Sequence, residues 1–442
     1  MDLFDALGES IRGAFASRRD TLPRALFYSP HAADELARLL AELVPGRAAI
    51  VVADLRTHAV AGERCVRALR SAGFSVADRI LRDGAGGASP VCDDPTKDAL
   101  AAELPAADVL VGVGSGVVND LCKWVAAERG VPYAVYATAA SMNGYSAANV
   151  APSIRGVKSL FRARAPLAIA ADPAVIENAP FALTASGLGD AIAKPVSTAD
   201  WLMNHRLFGE DFSQPVAQII DGVERSYVER PERLARRDPE AIRALFEALV
   251  YSGCAMTLQG SSLPASGGEH LVSHTLDMLG HVDGAGHDLH GRQVGVATIF
   301  AAALYERIFA LEVPELRSDL RSAVAPLEPA LWGPIAGAVE AEHAKKRASA
   351  EAALAALAAP GRWAALRAEL SPILRSPGAI QECLSRSGAA HRIDDIGCTR
   401  ERFLAAVRHC GAIRGRFTSI DLGWLTGVLP GAAEEIVDTW LR

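Results

Sequence analysis

The chain of 442 residues contains no Cys-x-x-Cys pair and no run of basic residues. Its seven cysteines (Cys65, Cys92, Cys122, Cys254, Cys383, Cys398 and Cys410) are odd in number and far apart. That excludes a disulfide framework and a cysteine-held zinc, and it points to a reducing compartment. With a formal net charge of −7 and scattered Lys and Arg, the chain lacks the footprint of a nucleic-acid binder. It also lacks an uninterrupted apolar run long enough to cross a bilayer. The first residues, Met1-Asp2-Leu3-Phe4-Asp5, are acidic where a secretory signal is basic. A cytoplasmic protein without membrane insertion is the expectation. There is no internal repeat.

Apolar residues, by contrast, fill 50% of the positions, enough for a large core, and this length predicts two domains. The first part alternates short β-type runs with helical patterns, the sequence form of βαβ units and a parallel sheet. Ala48 to Val52, Val109 to Val113, Tyr133 to Tyr136 and Leu167 to Ala170 are the strand candidates. After Ala171-Asp172-Pro173 the strand signal fades into Ala/Leu-rich stretches with charges at helical spacing, as in Glu240 to Val250 and Val296 to Leu311. Ala348 to Ala359 also reads as a helix, stopped by Pro360-Gly361.

Two motifs carry chemistry. The strand Val109-Leu110-Val111-Gly112-Val113 runs into Gly114-Ser115-Gly116 and then into a helical pattern from Val117. Glycines there let a backbone approach a pyrophosphate while the helix N-terminus faces its charge. The spacing departs from G-x-G-x-x-G, and a tight strand-to-helix turn is the structural alternative. Asp54, ending the strand at Ile50-Val51-Val52-Ala53, is of the type that bonds an adenosine ribose, or is a solvated loop acid.

The second motif is a density of histidine. His270, His274, His281, His287 and His290 are five of the chain's eleven, and imidazole with carboxylate suits a borderline divalent ion. His270 and His274, four apart, share one helical face. A zincin reading fails, because Leu271 stands where that motif needs its Glu. The residues alone do not choose among the five, and polar loop residues around one core histidine remain the plain alternative.

Taken in order, these blocks resemble the glycerol-1-phosphate dehydrogenase family, within the wider group of dehydroquinate synthase and the iron-type alcohol dehydrogenases. The resemblance runs from about Asp54 to Arg416-Phe417-Thr418-Ser419-Ile420-Asp421-Leu422. It implies a Rossmann-like nucleotide-binding domain over 1–177, and an all-α metal- and substrate-binding domain over 178–442, with metal, cofactor and substrate meeting in the cleft between them. Gly114-Ser115-Gly116-Val117-Val118-Asn119-Asp120 looks like the family's nucleotide loop, and Thr138-Ala139-Ala140-Ser141-Met142-Asn143-Gly144-Tyr145 like its second cofactor and substrate loop. By the same resemblance Asp190 binds metal and substrate, His270 and His290 complete the metal set, and His274 contacts substrate. The implied reaction is the reversible reduction of dihydroxyacetone phosphate to glycerol-1-phosphate by NADH or NADPH, with one divalent metal (Zn, Ni or Fe). A homodimer is compatible with it.

On that reading His274, one turn beyond His270, relays the proton to the substrate oxygen. Lys194, four beyond Asp190 on one helical face, meets substrate charge or snorkels. Lys158, Arg162 and Arg164 are candidates for the substrate's phosphate. Two positions depart from the family. Asn143 stands where Asp is usual, and Arg292, after His290-Gly291, stands where Glu is usual. The first removes a charge that acts on substrate, and the second reverses one beside a metal ligand. Three rival readings follow: a dehydroquinate synthase-like cyclase using NAD catalytically, a related polyol or alcohol dehydrogenase, and a family member that binds ligand without turnover.

Overall fold

The structure is a computed structural model and describes residues 2–286 and 288–442, without the side chain of Ala85. The chain forms two compact units, Met1–Gly187 with Pro215–Ser261, and Leu188–Gln214 with Ser262–Arg442.

The first unit holds a six-stranded sheet in the order β1-β10-β5-β4-β2-β3, every neighbouring pair parallel. Its strands are β1 (Ala25–Tyr28), β2 (Ala48–Asp54), β3 (Ser75–Leu81), β4 (Val109–Gly114), β5 (Tyr133–Ala137) and β10 (Ala168–Ala171). β4, β5 and β10 are buried throughout, and β2 through Ala49 to Ala53. This is why they read as unbroken apolar runs in the sequence. On one face Leu36, Leu40, Cys65 and Leu69 pack against Val51, Val111, Val113 and Ala170; full burial of one such Leu contributes about 2–3 kcal/mol.

The sheet order reverses direction at one point. From β2 the chain steps outward to β3 and then returns across β2 to β4, so the connections diverge between β2 and β4. Ligands of open parallel sheets bind beyond the strands' carboxyl ends at such a reversal. Asp54 ends β2, and Gly114 ends the neighbouring β4, from which α1 (Gly116–Arg129) starts.

Two nested antiparallel pairs, β6 (Asn149–Val150) with β9 (Phe161–Arg162) and β7 (Ser153–Ile154) with β8 (Val157–Lys158), form a small arm in this unit. Its turn places Arg155 and Gly156 at φ 50° and 78°, the tight hairpin geometry that matches strand twist.

The boundary between the units runs through α2 (Phe181–Ile192), with Gly187 in the first unit and Asp190 in the second. α3 (Lys194–Phe208) belongs to the second. α4 (Pro239–Gln259), which the sequence assigns to the helical region after residue 177, packs with the sheet unit. Against expectation, α4 is long and apolar enough to cross a membrane by length and composition. Most of it is buried inside the first unit, as suits a core helix. In the second unit the described residues form helices, turns and loops. Those used below are α5 (Gly268–Asp283), α6 (His290–Phe309), α7 (Ala336–Leu357) and α8 (Ser419–Leu425).

Candidate functional site

In the second unit, α2 and α6 meet backbone to backbone. A Cβ added at Gly189 would fall 1.9 Å from the Gly291 carbonyl oxygen and 3.2 Å from Gly295 N. Only glycine permits this approach, and it brings together the residues next along each chain, Asp190 on α2 and His290 at the start of α6. His270, from the first turn of α5, completes the group. One ligand atom from each of the three lies within 4.8 Å of the others.

Neighbouring side chains orient the two imidazoles. His270 Nδ1 donates to Glu269 Oε1 at 2.7 Å, which turns Nε2 toward Asp190 Oδ1 at 3.4 Å. Glu269 is itself fixed, its Oε1 accepting the Gly267 N–H at 2.7 Å. Ser273 Oγ lies 3.1 Å from His290 Nδ1. The Gln293 carboxamide donates to Ser273 Oγ at 2.9 Å and to Asp277 Oδ1 at 3.1 Å, leaving the hydroxyl able to accept from His290. Burial by itself depresses the His270 imidazolium; the bonds to Asp190 and Glu269 outweigh it and hold the pKa up at about 9. The site attracts positive charge at this point. One carboxylate and two oriented imidazoles are the donor set of a three-ligand divalent metal site, so these residues fit such an ion.

His274 joins the group, its ring stacked on that of His290 (centroids 5.4 Å, 20°) and 6.0 Å from that of His270. His281 is exposed near the end of α5 and stays apart, and His287 lies outside the described residues.

Between Asp190 on α2 and Lys194, which opens α3, stands Ala193 with right-handed helical backbone (φ −69°, ψ −17°). The Lys194 ammonium does not snorkel: the side chain is buried and donates to the Pro264 carbonyl at 2.8 Å. The Arg292 Nε donates to Asp288 Oδ2 at 2.7 Å and its Nη2 to the Asp395 carbonyl. The reversed charge is met by Asp288.

Below the first turn of α5, Asp200 Oδ2 accepts the Gly268 N–H at 2.7 Å, while Oδ1 accepts the Ser419 N–H at 2.8 Å and the Tyr305 hydroxyl. Burial, and next the charge of Glu269, push its pKa from 3.8 up to about 7. A raised carboxyl contributes stability that is whole below the unfolded value and is lost as pH climbs through the folded one. In metal-free protein, Asp200→Asn should therefore flatten the fall in unfolding free energy between pH 3.8 and about 7. Urea melts at several pH values check this, and a slope equal to that of the wild type would refute it.

In the first unit the two expected cofactor segments adjoin, Thr138 N donating to the Gly114 carbonyl at 3.1 Å. Ser115 precedes α1 without a side-chain cap, which leaves the helix's first N–H groups available to an anion. Ser115, Gly116 and Val117 are partly exposed. The side chains of Val118 and Asn119 face inward instead. Val118 fills the space a Cβ on Gly114 would need (2.6 Å), and Asn119 Nδ2 donates to Asp120 Oδ1 (2.8 Å) and accepts at Oδ1 from the Tyr133 hydroxyl (3.2 Å). Asp120 Oδ2 accepts the Ala151 N–H, and buried Lys123 donates to the Gly144 and Asn149 carbonyls, so this face of α1 anchors the loop that contains Asn143. Ala139 and Ala140 are buried, as is Ser141, and Asn143 is partly exposed.

Asp54 has a structural task. Its Oδ1 caps the short helix Leu55–Thr57 by accepting the N–H groups of Arg56 (2.8 Å) and Thr57 (2.9 Å). Of the three phosphate candidates, Arg162 donates to the Gly260 carbonyl at 3.0 Å, Arg164 is exposed and Lys158 is half-buried on β8. Glu269, Ser273 and Gln293 were not legible as ligand supports, although the first two stand inside the Ser266–His274 motif.

Known proteins share this architecture. A family model described as iron-containing alcohol dehydrogenase matches residues 28–180. The structure of glycerol dehydrogenase from Schizosaccharomyces pombe superposes with a TM-score of 0.61 at 16% identity, covering 95% of this chain and 92% of that one. The fold is thus that of the iron-containing alcohol dehydrogenases. By sequence, glycerol-1-phosphate dehydrogenase [NAD(P)+] of Bacillus velezensis is 30% identical over 310 residues, 70% of this chain and 78% of that protein. The enzyme of the same name from Halalkalibacterium halodurans is 35% identical over 258 residues, 58% of this chain and 64% of that protein. The chain belongs to the glycerol-1-phosphate dehydrogenase family.

Proposed function

We propose that the protein is a metal-dependent, nicotinamide-coupled oxidoreductase that interconverts dihydroxyacetone phosphate and glycerol-1-phosphate. The observation that supports it most is the grouping of Asp190, His270 and His290, with donors within 4.8 Å, in a chain of this family. Three protein ligands leave coordination positions open, and a divalent ion of the Zn, Ni or Fe kind supplies Lewis-acid polarisation of a ketone there.

The chain's own residues prepare that chemistry. Glu269 holds the His270 tautomer that presents Nε2, and Ser273 with Gln293 does the same for His290. His274, one helical turn beyond His270 and stacked on His290, is assigned the proton that the substrate oxygen gains on reduction. Ser115 to Val117 and the segment Thr138 to Ser141 are assigned to the coenzyme, whose pyrophosphate suits the uncapped start of α1. Asp54 is assigned to its ribose through the carboxylate oxygen that does not cap a helix. Asn143 offers an amide to a substrate hydroxyl.

The test uses protein purified with its metal, dihydroxyacetone phosphate, and NADH or NADPH, read by nicotinamide absorbance. Turnover should be lost on chelation and return with one equivalent of divalent metal. Absence of turnover with both coenzymes, in protein shown to contain metal, would overturn the reading. Product released without net nicotinamide oxidation would favour a dehydroquinate synthase-like reaction instead.

A further inference from the structure

Arg416 precedes the buried Phe417-Thr418-Ser419 stretch that starts α8, and its half-buried guanidinium lies on the loop leading into α5. Nη1 donates to the Ser266 carbonyl and Nη2 to Ser262 Oγ at 2.9 Å. The turn from Ser266 to His270 therefore carries a guanidinium at one end and a metal-set imidazole at the other. Arg414, two residues earlier on extended backbone (φ −148°, ψ 139°), leaves the chain on the same side and is also half-buried.

Four of the carboxylates around these arginines are engaged elsewhere, while Glu210 acts on Arg416 through its charge without forming an ion pair with it. Glu342 accepts from Lys345 and from the Gly415 N–H, and Asp421 from Lys346 and Thr418 N. Glu269 is engaged with His270 and Gly267 N, and Asp200 with Tyr305, Gly268 N and Ser419 N. Among the described residues, no carboxylate forms an ion pair with Arg414 or Arg416. Burial lowers the pKa of both, and the charge of Arg414 depresses Arg416 further, to about 10. Two half-buried like charges close enough to act on one another, offset only in part by the charges of Glu342 and Glu210, are unfavourable, and an arriving anion relieves the cost.

We propose that Arg416 and Arg414, with the Ser262 hydroxyl, seat the phosphate of the substrate, a dianionic phosphomonoester. The proposal rests on the function proposed above and moves phosphate recognition to the unit that carries the metal set. A guanidinium offers paired donors matched to phosphate oxygens, which a lysine cannot reproduce.

The test titrates metal-loaded wild type, Arg416→Gln, Arg416→Lys and Arg414→Gln with inorganic phosphate and with glycerol-1-phosphate by calorimetry. Metal content and thermal midpoint are measured on the same samples. Wild type should bind both ligands. Arg416→Gln should weaken both at least about tenfold with metal retained, the size expected for loss of one charge-assisted pair of hydrogen bonds. Arg416→Lys should fall between, and Arg414→Gln should weaken both about threefold or more. Wild-type affinity in Arg416→Gln and Arg414→Gln overturns the site; if Arg416→Gln loses metal or fold, Arg416→Lys and Arg414→Gln decide. Phosphate bound through Arg416 without turnover of dihydroxyacetone phosphate keeps the anion site and removes the functional reading. Turnover with an unchanged KM in both Arg416 variants keeps the function and removes the site.

Discussion

Replacing His270 by alanine is expected to lower kcat for reduction of dihydroxyacetone phosphate by at least about 10³-fold, because Lewis-acid stabilisation is worth several kcal/mol and each 1.36 kcal/mol is about tenfold. Two effects combine. The proposed metal set drops from three donors to two, and Glu269, which is fully buried, loses the imidazole N–H that donates to it. An uncompensated buried carboxylate costs roughly 3–5 kcal/mol of stability, so the thermal midpoint should fall as well. Metal analysis, steady-state kinetics and NADH binding on one preparation separate the contributions. NADH binding should persist, since its proposed site lies in the other unit. A variant that kept stoichiometric metal and more than about a tenth of wild-type kcat would remove His270 from the metal set.

Gly189→Ala should disturb the site without altering any side chain in it. The new Cβ would lie 1.9 Å from the Gly291 carbonyl oxygen, so α2 and α6 must part by roughly 1 Å or more in an interior packed like a crystal. Overpacking of this kind costs about 1–3 kcal/mol, and a clash with backbone belongs at the upper end. Asp190 follows Gly189 and His290 precedes Gly291, so the same shift separates two metal donors. Metal affinity should fall by about 10- to 100-fold, the range seen when ligand positioning is lost. Gly337→Ala, in the first turn of α7 with nothing within 4 Å of the added Cβ, is the control. It should be neutral or stabilising by about 1 kcal/mol at most. Equal metal affinity in the two variants would show that the helix contact does not set the ligand geometry.

What the sequence discloses follows from burial. β2, β4, β5 and β10 are legible because central parallel strands are apolar on both faces. β1 has only four residues, and the edge strand β3 interrupts its apolar pattern with Asp78 and Arg79, so neither stands out. The placement of α4 with the sheet is hidden for the opposite reason, since a helix buried almost all round does not say which neighbours bury it. His270 and His274 are related by helical spacing and need no tertiary information. Asp190 meets His290 where Gly189 and Gly291 let α2 and α6 touch, a relation that no local pattern contains; here the family motif supplied what the period could not. The partner of Arg292, Asp288, stands one turn back along the chain, and charge beside a ligand says nothing of where the side chain turns.

The interleaving of the two units also has a temporal side. Neither unit is contiguous: the sheet unit takes residues up to 261, and the helical unit needs 188–214 before its remaining chain begins at 262. Asp190 and His290 are about 100 residues apart, which at 5–20 residues per second corresponds to about 5–20 s on the ribosome. During that interval α3 has emerged and its partners have not. The proposed metal set is incomplete in any nascent chain that ends before His290, which is made after the sheet unit's last segment.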